Sequence, residues 1–210
     1  MSTEEAIERL YAGQAAVERM GDRRAQLIDA GIELLGQEGA SAVTMRAVTR
    51  RARLSPRYFY ESFPTRTDLL IAVVEQVMQH VVGVVAQALE AVPLDPLART
   101  RAAFAAFAEL CEQQPGVARI LLRETAVDPV LRELARDRAP ALIEAVGGAL
   151  ADERWSTAAA SSRVPLDVSA LTGALSSLFL DWSEGRVEAT ATEVVDYCTD
   201  LVAGMVQRRG

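Results

Sequence analysis

The chain has 210 residues, of which 50% are hydrophobic and 24% are charged, a composition typical of a folded protein with a sizeable core. This composition excludes a disordered chain and a disulfide-stapled miniprotein. The net charge is −7, from 22 basic and 29 acidic residues, and at first it argues against a protein that coats nucleic acid or an anionic membrane.

Apolar residues recur at three- and four-residue intervals through almost the whole chain, which predicts an all-α protein. Proline and glycine separate the periodic segments. The pattern predicts helices near residues 3–20, 22–38, 45–52, 56–62, 66–91, 95–114, 116–126, 129–138, 140–153, 166–184 and 188–208. Residues 156–163 have the small polar composition of a surface loop.

Three observations indicate the cellular compartment. The cysteines, Cys111 and Cys198, lie far apart in apolar runs without the spacing of a metal site or a redox pair, so we expect reduced core thiols. The longest uncharged stretches, 76–89 and 168–180, have 14 and 13 residues, whereas about 20 are needed to cross a bilayer. The N-terminus is acidic, unlike that of a signal peptide. We therefore expect a cytoplasmic protein without membrane contact.

Charge is concentrated in one short segment. Between Thr44 and Arg66 there are six arginines and one acid, Glu61, which gives +5 in 23 residues and leaves −12 on the other 187. A compact cationic segment is typical of a protein that meets DNA with one small face. A solvated charged face is the alternative interpretation.

The same segment has the punctuation of two short helices joined by a tight turn. Thr44 can cap a helix over 45–52, and the turn follows at Arg53. Ser55 can cap the second helix, whose first position is Pro56, where the missing N–H is not needed. This arrangement predicts a helix-turn-helix.

The predicted second helix has an inner and an outer face. Phe59 and Phe63 are four residues apart and would anchor it to the core. Arg57 can donate two hydrogen bonds to guanine O6 and N7. Tyr58 can reach a thymine methyl group, a base edge or a phosphate, and Tyr60 is also available on the outside. We therefore expect this helix to carry the contacts to the bases.

Helix starts in this segment suit phosphate groups. Thr44 and Ser55 present hydroxyl groups beside the free N–H groups of a first turn. Thr65 and Asp68 have the spacing of a capping box at the start of the next helix. Arg66 lies in that first turn, where the helix dipole disfavours a cation and a DNA phosphate would relieve the repulsion. This favours a contact role for Arg66.

Residues 24–72 resemble the N-terminal part of the tetracycline-repressor (TetR) family of transcriptional regulators. The resemblance rests on GQEGASAVT, on TMRAVTRRARLSPRYFYESF and on TRTDLL. It implies a three-helix DNA-binding domain with a helix-turn-helix, followed by a helical ligand-binding and dimerisation domain. We expect an N-terminal extension over 1–21, which could be helical, the DNA-binding domain over 22–68 and the second domain over 69–210.

The resemblance also implies how such a protein works. A homodimer binds a palindromic operator in double-stranded DNA, and a small molecule in the second domain changes the spacing of the two DNA-binding heads. The positions that commonly touch DNA in the family are, in this chain, Thr44, Arg46, Ser55, Pro56, Arg57, Tyr58, Tyr60 and Arg66.

The chain departs from the family pattern at two positions. Arg53 replaces the usual turn glycine, which costs roughly 1–2 kcal/mol if the backbone there is left-handed. Arg66 replaces a common lysine and keeps the charge.

The second domain offers apolar stripes and apolar clusters. By resemblance, the last two helices pair with their copies in a four-helix bundle, whereas in a monomer they would cover the core. The predicted interface consists of Leu171, Leu175, Leu178, Val194, Cys198, Leu201, Val202 and Met205. A pocket for a largely apolar effector could be lined by Met78, Phe104, Phe107, Cys111, Leu121, Leu122, Arg123 and Trp182, with plain core packing as the alternative. Arg123 and Glu124 could be polar handles for a ligand, pair with each other or face water.

These features favour a ligand-responsive DNA-binding regulator, more often a repressor than an activator. The alternatives are a helical enzyme with a buried apolar site and a helical adaptor that does not bind DNA. The chain lacks a Ser/His/Asp set, a metal-ligand cluster and a glycine-rich phosphate loop. Its only histidine, His80, has no acid cluster near it in sequence. We therefore predict no catalytic residues, no metal and no cofactor.

Overall fold

The computed structural model describes residues 3–138 and 164–207, and in these ranges it contains helices and no strand. The all-α prediction is confirmed. The first helices are α1 (Thr3–Glu38), a 3-10 turn (Ala40–Ala42), α2 (Met45–Ala52), α3 (Pro56–Ser62) and α4 (Arg66–Glu90). They are followed by α5 (Pro96–Gln113), α6 (Pro115–Ala118), a π-helical segment (Arg119–Glu124), α7 (Thr125–Val127), α8 (129–138), α9 (Val164–Ser183) and α10 (Ala191–Gln207).

Most predicted helices lie within a few residues of the observed ones. The bounds of α2 and α3 agree with the predicted 45–52 and 56–62. The predicted break at residue 21 is wrong, because α1 continues through Gly21. A single interior glycine costs a helix about 1 kcal/mol and does not end it. The predicted helix over 140–153 and the loop over 156–163 lie outside the described residues.

The chain divides into two compact units, Met1–Val74 and Glu75–Gly210. The division falls within α4, whereas the sequence analysis places a domain boundary after residue 68. The N-terminal extension predicted for 1–21 is part of α1, beginning at its first described residue, Thr3.

The core of the first unit is built from α1 to α4. Leu27 and Leu35 of α1, Val48 of α2, Phe59 of α3 and Leu69 of α4 are all buried. Burying such side chains contributes about 1.5–3 kcal/mol each, so this core holds α2 and α3 in place on α1.

Gly31 allows α1 and the first part of α4 to approach closely. A Cβ atom at this position would lie 2.6 Å from Cγ2 of Val73, which is shorter than a van der Waals contact. A larger residue would therefore push the two helices apart and disturb the support of α2 and α3.

The end of α1 and the start of α4 lie where the sequence signals predict them. Gly39 follows the last residue of α1 with φ 87°, a conformation that glycine adopts without steric cost. At the start of α4, the Asp68 carboxylate accepts hydrogen bonds from the N–H of Thr65 at 2.8 Å and from its hydroxyl at 2.7 Å. The predicted capping box is confirmed.

The second unit has its own hydrophobic core, in which α5 and α10 meet. The two cysteines, distant in sequence, lie in one buried cluster together with Phe179, Val194 and Ala108. Neither is in a disulfide. Burial raises the pKa of Cys111 to about 12 and that of Cys198 to about 11, so both thiols stay protonated at neutral pH. The prediction of reduced core thiols is confirmed.

By length and composition alone, α4 is apolar enough to cross a membrane, with a mean hydropathy of 1.8 over its most apolar window. Glu75 interrupts the apolar run of α4, so the length of uncharged stretches does not reveal it. Core helices meet the same criterion, and Leu70, Val77 and Val85 of α4 are buried.

Candidate nucleic-acid interface

The turn between α2 and α3 has a left-handed residue at its centre. Arg53 ends α2 with φ 55° and ψ 35°, and its N–H donates to the Arg50 carbonyl at 3.3 Å. The N–H of Leu54 donates to the Thr49 carbonyl at 2.9 Å. Arg53 therefore adopts the left-handed conformation that favours glycine, so the conformational cost predicted from the sequence applies.

We expect Arg53→Gly to raise the stability of the first unit by about 1 kcal/mol, because glycine adopts this conformation without a Cβ clash. Arg53→Ala is the matched control, since it removes the same charge but keeps a Cβ. Hydrogen exchange of the α2 and α3 amides measures the difference. Equal stability of the glycine and alanine variants would show that the turn is not strained.

The two predicted helix caps differ in the structure. Thr44 caps α2 as predicted, since its Oγ1 accepts from the N–H of Ala47 at 3.2 Å. Ser55 does not use its hydroxyl as a cap, and the expectation of a side-chain cap is wrong. Instead, its backbone carbonyl accepts from the N–H of Tyr58 at 3.0 Å, while Pro56 presets the first turn. The Ser55 hydroxyl is therefore not used in starting α3.

The faces of α3 are divided largely as the sequence predicts, except that Tyr58 is half-buried. Phe59 is 1% exposed, and Phe63, directly after the helix, is also buried. Pro56 and Arg57 are exposed on the outside, and Tyr60 is 61% exposed. The outer face therefore combines a cation with a large aromatic side chain.

Arg57 is held by an acid of the same helix. Its Nε donates to Oε1 of Glu61 at 2.7 Å, one helical turn along. The Arg57 side chain is 83% exposed and that of Glu61 37%. The hydrogen bond and the charge of Glu61 raise the pKa of Arg57 above its ordinary value, so the guanidinium is always a cation.

Two arginines of α1 also belong to this surface, and the sequence analysis missed them because its cationic segment starts at Thr44. The guanidinium of Arg23 lies over the ring of Tyr58, 3.9 Å from the centroid. That of Arg24 lies 4.8 Å from the centroid of Phe63. These cation–π contacts tie α1 to α3. The adjacent arginines before the first buried turn of α1 were the available signal.

Arg66 has a structural role that the sequence did not reveal. Its Nε donates to the Val43 carbonyl at 2.6 Å, and its Nη2 donates to the Ala40 carbonyl. These carbonyl oxygens offset the positive charge in the first turn of α4, for which the sequence analysis invoked a phosphate. DNA contact by Arg66 remains a prediction.

The arginines of α2 and of the turn that follows it fall into two groups. Arg51 contacts two acids of α1, Glu33 at 2.8 Å and Glu38 at 3.7 Å. The second group is exposed, spaced along one side of α2 and the turn, and has no ion pair among the described residues; it consists of Arg46, Arg50 and Arg53. We call this group the arginine stripe. All three were counted in the cationic segment but only Arg46 was named as a position that touches DNA, although the i, i+4, i+7 spacing places all three together.

The predicted pocket residues of the second unit mostly lie around the buried cluster of α5, α9 and α10. Those packed against the cluster are half-buried, namely Phe104, Phe107, Leu122 and Trp182. The ring centroids of Phe107 and Phe179 are 4.9 Å apart. Cys111 is part of the cluster itself, and Met78 and Leu121 are half-buried elsewhere in the unit. The positions suit an apolar lining, and ligand binding remains a prediction.

The two polar handles considered from the sequence have different partners. Arg123 is exposed and pairs with Glu184 at 3.1 Å, whereas Glu124 is buried and contacts Arg119 at 3.4 Å. They do not form the pair with each other that the sequence left open. The ion pair of Arg123 thus links the π-helical segment to the residue that follows α9.

The predicted dimer residues divide by burial. Val194, Cys198 and Val202 are buried in the unit, with Cys198 at 0% exposure, so they have no surface to offer a second copy. The residues that retain exposed surface are Leu171, Leu175, Leu178 and Leu201. The side chain of Met205 lies outside the described part of the chain.

Comparison with known proteins gives one family match within the first unit and one similar curated protein. The family of bacterial regulatory proteins called tetR matches residues 27–73. Among curated proteins, the HTH-type transcriptional regulator BetI of Rhizobium meliloti (strain 1021) is 36% identical over 56 residues. That match covers 27% of this chain and 28% of BetI, so the chain aligns with about a quarter of this relative.

Solved structures share the fold over most of the chain. The transcriptional regulator FadR of Bacillus subtilis, in complex with stearoyl-CoA, has a TM-score of 0.69 at 14% identity and covers 84% of this chain and 96% of its own. A TetR-like transcriptional regulator of Rhodococcus sp. RHA1 has a TM-score of 0.62 at 21% identity, covering 89% and 94%. The N-terminal unit of the chain is therefore similar to the DNA-binding part of the tetR family of bacterial regulatory proteins.

Proposed function

We propose that this protein is a transcriptional regulator that binds a palindromic operator in double-stranded DNA as a homodimer. The observation that carries the proposal is the first unit's outer surface, where α3 exposes Arg57 and Tyr60 beside the arginine stripe. An exposed short helix with a cation and an aromatic ring, flanked by unpaired cations, can contact bases and phosphates at once.

The roles divide by geometry. The arginine stripe neutralises phosphates and gives affinity for any DNA sequence. Arg57 and the tyrosines reach base edges in the major groove and give sequence preference. The hydroxyl groups of Thr44 and Ser55 can donate to phosphate oxygens at the starts of α2 and α3. This function places the protein in the cytoplasm, where operator DNA is accessible.

The second unit would supply the dimer contact and the response to a ligand. The half-buried leucines of α9 and α10 offer apolar surface to a second copy, and a twofold dimer would match a palindromic site. The half-buried aromatic side chains around Phe179 suit a largely apolar effector that releases the DNA. The similar structure of FadR is a complex with stearoyl-CoA, so acyl-CoA compounds belong in the first ligand screen.

Selection from random duplex DNA, followed by titration at several salt concentrations, tests the proposal. We expect an enriched palindrome and a logarithmic salt slope of about −0.9 per phosphate contact. Arg50→Ala should reduce the steepness of this slope by about one contact. Arg136→Ala is the matched control, since it removes an exposed arginine from α8 and should leave the slope unchanged. No enriched sequence and no binding at low salt would instead favour the helical adaptor.

A further inference from the structure

Arg57 is the cation of α3 that is best placed to read a base, and an acid lies beside it on the same outer face. The bond between them uses Nε of Arg57 and Oε1 of Glu61, at 2.7 Å. An arginine reads guanine with two parallel N–H donors. Because Nε is occupied, the two terminal amino groups remain as the outward-facing pair.

We propose that Glu61 is a specificity-determining positioning residue that orients the Arg57 guanidinium for reading one base pair; this inference rests on the DNA-binding function proposed above. An exposed arginine has several rotatable bonds and loses much rotamer freedom when it binds. The Glu61 bond restricts that freedom before DNA arrives. The ordering cost of the specific contact is therefore reduced.

Glu61 also has an opposite effect on binding to unrelated DNA. Its carboxylate is the only acid between Thr44 and Arg66, and it lies one turn from Arg57 on the surface that would face DNA. A negative charge there repels phosphates of any sequence. The same side chain should therefore weaken binding to unrelated DNA and strengthen discrimination between bases.

The other acids of this unit that pair with an arginine, Glu33 and Glu38, contact Arg51 and not Arg57. Glu33 belongs to α1 and pairs with Arg51 of α2 at 2.8 Å, so this acid lies between the two helices. Removing the charge of Glu33 changes the electrostatics of the unit by the same amount without touching Arg57. Glu33→Gln is therefore the matched control for charge.

The test uses the full-length protein and the palindrome enriched by the wild type. Binding is measured to this DNA, to unrelated DNA and to variants substituted at the base pair that Arg57 reads, as identified with Arg57→Ala. For Glu61→Ala we expect tighter binding to unrelated DNA and a discrimination ratio about fivefold lower. Glu61→Gln keeps an acceptor oxygen for Nε, so it should retain more discrimination than Glu61→Ala. Glu33→Gln should leave the ratio unchanged.

The outcomes separate the two proposals. If no DNA sequence is enriched, the proposed regulator function fails. If a palindrome is enriched but Glu61→Ala discriminates as well as the wild type, the role of Glu61 is overturned. If Glu61→Gln and Glu61→Ala lose discrimination equally, charge alone is responsible and orientation is overturned.

Discussion

Replacing Arg57 with alanine is expected to remove sequence preference at one base pair in each half of the palindromic site. A bidentate arginine–guanine pair contributes roughly 1–3 kcal/mol of discrimination, which corresponds to about a 5- to 150-fold preference. The Arg57 side chain is 83% exposed on α3 and supports no core contact, so its loss should not unfold the unit. Affinities for a panel of single base-pair substitutions measure the effect.

Arg50→Ala is the comparison that distinguishes base reading from general attraction. Arg50 belongs to the arginine stripe and is expected to contact phosphate, so its loss should weaken binding to every DNA in the panel by a similar factor. If Arg57→Ala also weakens all sequences equally, then Arg57 contacts phosphate and does not read a base.

Local signals explain why α2 and α3 could be predicted from the sequence. Thr44, Pro56 and the spacing of Phe59 and Phe63 each act within a few residues, so their effects do not depend on the rest of the fold. The resemblance showed that Arg53 stands where the family usually has a turn glycine, which left open whether the backbone there is left-handed. The structure answers this, since Arg53 has φ 55°. Short-range chemistry of this kind fixed the outer surface of α3.

Long-range partners could not be predicted. Arg66 donates to carbonyls 23 and 26 positions away, and Arg51 pairs with an acid 18 positions away. A sequence shows the charge of such residues but not which backbone oxygens or acids the packing brings to them. From the sequence, the six arginines of the segment form one cationic face, whereas in the structure Arg51 pairs with acids of α1.

The second unit shows a related limit. Helical periodicity correctly identified Val194 and Cys198 as facing apolar surroundings. It could not tell whether those surroundings belong to the same protomer or to a second copy, because both bury the same stripe. Only the packing of α10 against α5 placed these residues inside the unit's own core.

Phe59→Ala is expected to cause the largest loss of stability in the first unit. Its side chain is 1% exposed, and removing a buried phenyl group costs about 3–5 kcal/mol because apolar burial is lost and a cavity remains. That is a large part of the stability of a small domain. Both tryptophans, Trp155 and Trp182, lie in the sequence of the second unit, so hydrogen exchange of α1 to α3 amides is the suitable measurement.

The neighbouring residue provides the matched control. Tyr60 is 61% exposed and meets Phe59 edge to face with ring centroids 5.6 Å apart, a contact worth about 0.5–1.5 kcal/mol. Tyr60→Ala should therefore leave most of the exchange protection in place while weakening DNA binding, whereas Phe59→Ala should lose both. Equal losses of protection in the two variants would mean that the outer face of α3 also supports the fold, and its assignment as a binding surface would then fail.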